Sequence, residues 1–419
     1  MSAARKFIRE TSKGLPVNVV KKPDSFPAGF KYRDTLALPR INLLDMASTA
    51  PTGVCLEPPG KIRKFQRRAP EFLNDPDGVG LFTSFPDIPI VSPPIFVATA
   101  KNARLVGFRA ILSQDRLFFN DDTLSSQEQR QEFLQKMAMP YPFNEETGLE
   151  PTSKIDVFAL NPGRRAVERL EGNVVVLGSD EPSNYGSWLF RILPKIQTLR
   201  QVDLKEPVRY LVWVGIPSFR EYLTMLGISD DLIIHQDPEN FVYDLERAIV
   251  PSLRNNQAFL DPESLSLYSE LRSRFGVPQE PGMRIYVSRV SQSRNGHSRA
   301  MLNEPELVER LKGMNFRIID PEVLSVTEQI RAFSSAQMVV GPSGSGMFNI
   351  VFCHPGTKVI DIESEPHWIH AHCCLFSSCG MRYGIFVGAA EDRSYEKHHQ
   401  SWRVNIEALI SQIDSWSVV

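Results

Sequence analysis

The run Gly341-Pro-Ser-Gly-Ser-Gly-Met-Phe-Asn349 follows directly on the apolar stretch Met338-Val-Val340. Glycine in such a turn lets the backbone approach a ligand, and N–H groups at a helix start favour an anion, typically a phosphate. The run contains neither a Gly-x-x-x-x-Gly-Lys-Ser loop nor a Gly-x-Ser-x-Gly elbow, because Ser345 stands two residues after Ser343. Taken alone, the glycines read equally well as a tight turn. A second run, Arg284-Ile-Tyr-Val-Ser-Arg289, leads on to Arg294, Arg299, Asn303 and Glu304. Arginines near the carboxyl end of a parallel strand face the crevice where such sheets bind ligands, and a guanidinium fork suits phosphate oxygens. With Ser343, Gly344, Ser345, Gly346 and Asn349 of the turn, these residues point to a diphosphate site. A third run begins a helix at Asn184 and carries Tyr185, Ser187, Trp188 and Arg191, with Asp180 and Glu181 just upstream. Those two carboxylates are the candidate general bases. Trp188, Leu189, Ile192 and Leu193 recur at helical spacing and read as core.

A fourth cluster, His367-Trp-Ile-His370-Ala-His-Cys-Cys374, would place His367, His370 and Cys374 on one helix face. The spacing matches no established zinc pattern, so packing is preferred and no metal is expected. Asp75-Pro-Asp77 lies in a proline-rich stretch and reads as a turn rather than a divalent-cation site.

The elements that must position these residues alternate. Val174-Val-Val-Leu177 suits a strand buried on both faces, followed by a helix over 184–200. Strands follow at Val208–Val214 and Leu232–Ile234, around a helix at Pro217–Leu226. A helix from Pro262 to Phe275 ends at Gly276-Val-Pro278, where glycine offers a cap and proline a stop. A second alternating series has strands at Ile285–Ser288, Phe316–Ile319, Met338–Val340 and Lys358–Ile362. Its helices run from Asn303 to Met314 and from Ser325 to Phe333, each with a capping residue and a glutamate three positions on. Ahead of both series, Ala103–Phe119 reads as a hairpin. The prolines before residue 95 suggest an extended arm, and its basic run Lys61-Ile-Arg-Lys-Phe-Gln-Arg-Arg68 reads first as a solvated charge run, with contact to an anionic membrane surface or a polymeric acidic substrate as the alternatives. The domains expected are an irregular arm at 1–95, Rossmann-like domains at 96–278 and 279–400, and a helix at 401–419.

With 419 residues, the chain has room for two to three domains at about 150 residues each. Hydrophobic residues make up 42% and charged residues 23%, which excludes a wholly disordered or fibrous chain. Lys and Arg number 47 against 49 Asp and Glu, so no basic excess exists to hold a nucleic-acid backbone. Five cysteines, four of them after residue 350, do not read as a disulfide framework. No run reaches about 18 apolar residues and the first residues lack a leader's apolar core, so a cytoplasmic protein is expected.

The three chemistry-bearing runs, in this order and spacing, resemble glycosyltransferase family 61. Its members show an Asn-Tyr-x-His-Trp-Leu-x-x-x-Leu-Pro helix, an arginine-rich segment running into Asn-Glu, and a Gly-x-His-Gly-Ala-Gly-x-x-Asn turn. The resemblance covers roughly residues 170–390, with support from Glu328-Gln-Ile-Arg-Ala-Phe-Ser-Ser-Ala336 and Asn349-Ile-Val-Phe-Cys-His-Pro-Gly356. It implies an α/β fold of GT-B type, with two Rossmann-like domains facing a cleft. It also implies inverting transfer from a nucleotide sugar to a glycan or glycolipid acceptor, with a UDP-sugar the expected donor and no cofactor or metal required. Arg289, Arg299, Asn303, Glu304 and the Ser343–Asn349 turn would bind the donor, and Asn184, Tyr185, Ser187, Trp188 and Arg191 would face the acceptor. The family's helix histidine is Ser187 here, the aspartate four residues later is Arg191, and the turn histidine is Ser343. A catalytically silent nucleotide-sugar binding subunit is therefore the alternative. A dinucleotide oxidoreductase fails on its third glycine, where Asn349 stands.

Overall fold

The computed structural model describes residues 30–32, 54–55, 63–74, 89–92, 95–113, 116–119, 149–151, 157–160, 165–179, 181–202, 204, 207–255, 258–291, 300–364, 369–390 and 401–417. The chain divides into two compact units, Met1–Arg63 with Pro93–Arg254 and Lys64–Ser92 with Asn255–Val419.

The first unit is built on an eleven-stranded mixed sheet. Its parallel part has Ile233–His235, Val208–Val212, Ala166–Val176 and Phe241–Pro251 side by side. Phe96–Val106 then pairs antiparallel with Phe241–Pro251 and continues through Ala110–Ser113 to Arg116–Phe119, the expected hairpin. Val174 and Val176 enter a core with Leu105, Ile111, Leu211, Tyr243 and Leu245. Alternation turns Val175, equally buried, to the other face. That double burial is why this stretch is apolar without interruption. From Ala166–Val176 the chain moves outward to Val208–Val212 and Ile233–His235, then returns to the opposite side with Phe241–Pro251. The reversal puts a topological switch point beside the carboxyl end of Ala166–Val176.

The expected helix over 184–200 is broken into three segments. Tyr185–Ser187 is α-helical, Trp188–Ile192 is a π turn, and Pro194–Arg200 is α-helical again. Pro194 has no N–H to continue the ladder, and its ring would strike the carbonyl four residues back. The ladder widens instead, with the Leu193 N–H reaching the Trp188 carbonyl at 2.9 Å.

The second unit holds a six-stranded sheet, ordered Phe316–Ile319, Arg284–Val287, Met338–Pro342, Lys358–Glu363, Arg382–Val387 and Phe72–Asn74, parallel throughout. Leu307 and Leu311 of helix Glu304–Gly313 and Leu409, Ile413 and Trp416 of helix Ile406–Ser417 cover one face with Tyr286, Val340 and Ile360. Helix Val326–Ser335 starts with a complete capping box between Ser325 and Glu328. The chain runs from Arg284–Val287 outward to Phe316–Ile319 and back past its start to Met338–Pro342, so this sheet too has a switch point, between those two central strands.

Several expectations are corrected. Residues before 95 are not uniformly irregular: Phe30–Tyr32 and Val54–Cys55 join the first sheet and Phe72–Asn74 the second. Arg67 of the basic run is 3% exposed and reaches the sulfur of Cys374, so that side chain does not face solvent. Helix Pro262–Phe275 packs within the second unit, where Arg272 donates to the Cys353 carbonyl at 2.7 Å. Gly276 ends it in extended backbone, not in the left-handed cap, and a Cβ there would meet the Arg272 carbonyl at 2.5 Å and the Ser334 hydroxyl at 3.0 Å. Asn303 does not cap its helix; its amide is bonded in both directions to the Val404 backbone. No helix among the described residues is long and apolar enough to cross a membrane.

Candidate functional site

The residues expected at the donor lie at the switch point of the second unit. Arg289 follows the strand Arg284–Val287, and the glycine turn follows its neighbour Met338–Pro342. The Arg289 side chain donates from Nη1 to the Ser343 carbonyl at 2.9 Å. A Cβ on Gly344 would lie 3.0 Å from that same nitrogen, so glycine is what lets the guanidinium rest on the turn. A Cβ on Gly341 would meet Val287 at 2.9 Å, so this glycine serves strand packing. Gly344, Ser345 and Gly346 form the partly exposed lip of the turn, continuing into a 3-10 helix at Ser345–Phe352. Asn349 is fully buried and donates to the Gly346 carbonyl at 3.2 Å, which holds the turn from within. Arg299 and Asp180, both expected in the site, lie outside the described residues.

Glu304, expected to touch the donor, is buried at 1% exposure. Its Oε1 accepts from the Arg289 backbone N–H at 2.7 Å, the Ser288 hydroxyl at 3.1 Å and the Tyr286 hydroxyl at 3.3 Å. It thus pins the end of the strand that delivers Arg289. Its Oε2 has no hydrogen-bond partner among the described residues, and burial raises its pKa against the lowering effect of those three bonds. An acid with a raised folded pKa stabilises the fold most at low pH and loses that contribution as the pH climbs through the folded value. Glu304→Gln is expected to flatten this dependence. Urea unfolding from about pH 4 to about pH 7 should show wild-type stability falling relative to the variant.

Behind the turn lies a group that spacing did not reveal. The Nδ1 of His372 is 2.9 Å from Asp361 Oδ2, and the Ser343 hydroxyl is 3.4 Å from that same nitrogen. Phe348 and Phe376 meet the imidazole edge-on. Asp361, Glu363 and His372, all buried, bring ligand atoms within 4.8 Å of one another, close enough to share a cation. His372, rather than the His367, His370 and Cys374 face, joins this cluster. His370 is exposed, Cys374 turns toward Arg67, and His367 lies outside the described residues. The available signal was a pair of acids two apart in an otherwise apolar strand, Lys358-Val-Ile-Asp-Ile-Glu363, which alternation puts on one face.

The candidate acceptor side lies in the first unit, at its own switch point. Glu181 follows the strand Ala166–Val176 and has φ of 50°, a left-handed conformation rare outside glycine. Its Oε2 accepts from the Ser187 hydroxyl at 3.0 Å and pairs with Arg191 Nη1 at 3.5 Å. Glu181 keeps 45% side-chain exposure and Arg191 24%, so the pair opens to solvent while Ser187 is buried beneath it. Asn184 caps the helix start by accepting from the Gly186 and Ser187 N–H groups. Tyr185 bonds its hydroxyl to that of Tyr222 at 2.6 Å. Trp188 is fully buried, with its indole N–H on the Pro182 carbonyl and its ring stacked on Phe219 at 4.1 Å, so it is core. Of the five helix residues expected at the acceptor, Arg191 reaches the Glu181 carboxylate from the surface and Ser187 from below.

A search of curated proteins found no match. The family model described as Glycosyltransferase 61 matches residues 185–360, a span that begins at the Tyr185 helix and takes in Arg289, Glu304 and the glycine turn.

Proposed function

Residues 185–360 belong to the glycosyltransferase 61 family, and on that premise we propose that the chain is an inverting transferase using a nucleoside diphosphate sugar, a UDP-sugar above all. The acceptor is a hydroxyl of a glycan or glycolipid, in polysaccharide or lipopolysaccharide synthesis. The observation that carries the reading is Arg289 lying on the glycine turn at a switch point of a parallel sheet, where such folds take ligands. A guanidinium has five N–H donors in a fixed fork, and the Ser343 carbonyl takes one. In this proposal the fork and the turn's backbone dipoles offset the charge that grows on the departing diphosphate. Glu181, with its carboxylate oriented by Ser187 and Arg191, takes the proton from the attacking hydroxyl. Neutralisation by fixed cations needs no metal.

The test is calorimetry and thermal shift of the full chain against UDP-, GDP-, CMP- and dTDP-sugars, with and without EDTA, since a ligand that binds only the native state raises its stability. Saturable binding of one donor class that EDTA does not touch, together with release of the nucleoside diphosphate when the sugar passes to a glycan hydroxyl, supports the proposal. Binding that EDTA removes shifts attention to Asp361, Glu363 and His372. Ser187 and Ser343 replace family histidines, so a donor bound but neither hydrolysed nor transferred would identify a silent binding subunit.

A further inference from the structure

The first unit carries a row of rings that the reaction just described does not use. Tyr185 stacks on Phe219 with centroids 6.3 Å apart. Trp213 meets Phe219 edge-on at 5.9 Å, and the His235 ring tilts against Trp213 at 6.4 Å. Trp213 directly follows the strand Val208–Val212, and His235 ends the adjacent strand Ile233–His235. Both therefore stand on the carboxyl edge of the parallel sheet that also presents Glu181. Phe219 is fully buried, whereas Tyr185 and Trp213 are partly exposed and His235 is exposed.

The orientation of this row is built in. A Cβ on Gly215 would lie 2.3 Å from Cζ2 of Trp213, so the indole folds down onto a backbone that only glycine leaves bare. The Val214 N–H donates to Nδ1 of His235 at 3.2 Å, which leaves Nε2 as the nitrogen that bears hydrogen in the neutral ring. Partial desolvation lowers the His235 pKa, with Asp237 opposing and Arg220 assisting, which favours the neutral ring.

An apolar flat surface with one fixed polar donor at its border is the chemistry of a pyranose site. One face of such a ring presents C–H bonds that lie against an aromatic plane, while its rim presents hydroxyls for directed hydrogen bonds. We propose that Trp213 is the stacking platform for a pyranose of the acceptor glycan and that Nε2–H of His235 donates to one of its hydroxyls. Assigning that sugar to the acceptor rests on the transferase reading, through the continuity of Trp213, Phe219 and Tyr185 with the helix start that holds Ser187 against Glu181.

The experiment is saturation-transfer NMR on the full chain with methyl glycosides of glucose, galactose, mannose, xylose and N-acetylglucosamine. At least one should receive saturation, strongest at the ring protons of a single face. Trp213→Ala should weaken that binding about tenfold and Trp213→Phe less, the size expected for one aromatic contact. Gly215→Ala should weaken it as well, by displacing the indole while adding only one methyl. Circular dichroism and melting temperature confirm that each variant is folded, and His235→Ala, at a surface position, should weaken binding about fivefold through loss of one hydrogen bond. Failure of every glycoside to receive saturation from wild-type protein overturns the platform, as does unchanged binding in folded Trp213→Ala and Gly215→Ala. Trp213-dependent glycoside binding without transfer from any nucleotide sugar would uphold the platform and overturn the transferase assignment, so the two can fail separately.

Discussion

Arg289→Ala is expected to weaken donor binding about 100-fold, the sum of one or two charge-assisted bonds at about 1.5–3 kcal/mol each. The loss in kcat/KM should be larger than the loss in binding, because charge on the diphosphate grows toward the transition state and the fixed cation meets it there. Arg289→Lys should recover only part, since an ammonium cannot hold the Ser343 carbonyl and a phosphate with one rigid fork. Loss of the bond to the Ser343 carbonyl costs the fold about 1 kcal/mol, which urea unfolding would register as a small shift. Gly344→Ala supplies an independent check. Its methyl would press on Nη1 from 3.0 Å, moving the guanidinium without removing it, and donor binding should fall by less than in Arg289→Ala. Donor affinity unchanged in both variants would remove Arg289 from the donor site.

How far the sequence shows this site depends on how local each feature is. Arg289 and the glycine turn each stand a few residues past an apolar strand, and strands pairing side by side bring their ends together without further information. The capping box at Ser325 is equally local and is present as read. Asn303 carries the same local signal and yet does not cap, because Val404, about a hundred residues away, takes its amide in both directions. Glu304 follows the same logic. Its position in an Asn-Glu pair suggests an exposed ligand contact, whereas the strand end with Tyr286, Ser288 and Arg289 closes over it. His372 meets Asp361 only when helix Ile369–Ser378 lies along the strand, a contact that neither helical nor strand spacing encodes. The strands contributed before residue 95 are two or three residues long, too short for alternation to announce them. Pro194 is the converse case: a single residue in plain view dictates the π turn that periodicity alone reads as continuous helix.

Glu181→Gln is expected to lower kcat by about 100- to 10,000-fold, the range for loss of a general base, while leaving donor affinity unchanged. The side chain keeps its shape and can still accept from Ser187, so a loss confined to turnover would separate proton transfer from positioning. Arg191→Ala tests the positioning component. It should lower kcat less than Glu181→Gln, because Ser187 continues to hold the carboxylate. The backbone at this position offers a second, opposed measurement. A glutamate at φ 50° carries a conformational cost of about 1 kcal/mol or more that glycine does not. Glu181→Gly should therefore raise or hold stability in urea while abolishing transfer, even though it deletes an ion pair and a hydrogen bond at a site with 45% side-chain exposure. A residue kept in an unfavourable conformation, whose replacement stabilises the chain, is one retained for the reaction rather than for the fold. If Glu181→Gly instead destabilises the protein by several kcal/mol and Glu181→Gln transfers sugar at the wild-type rate, the Glu181–Ser187–Arg191 network is a structural clasp and the base lies elsewhere.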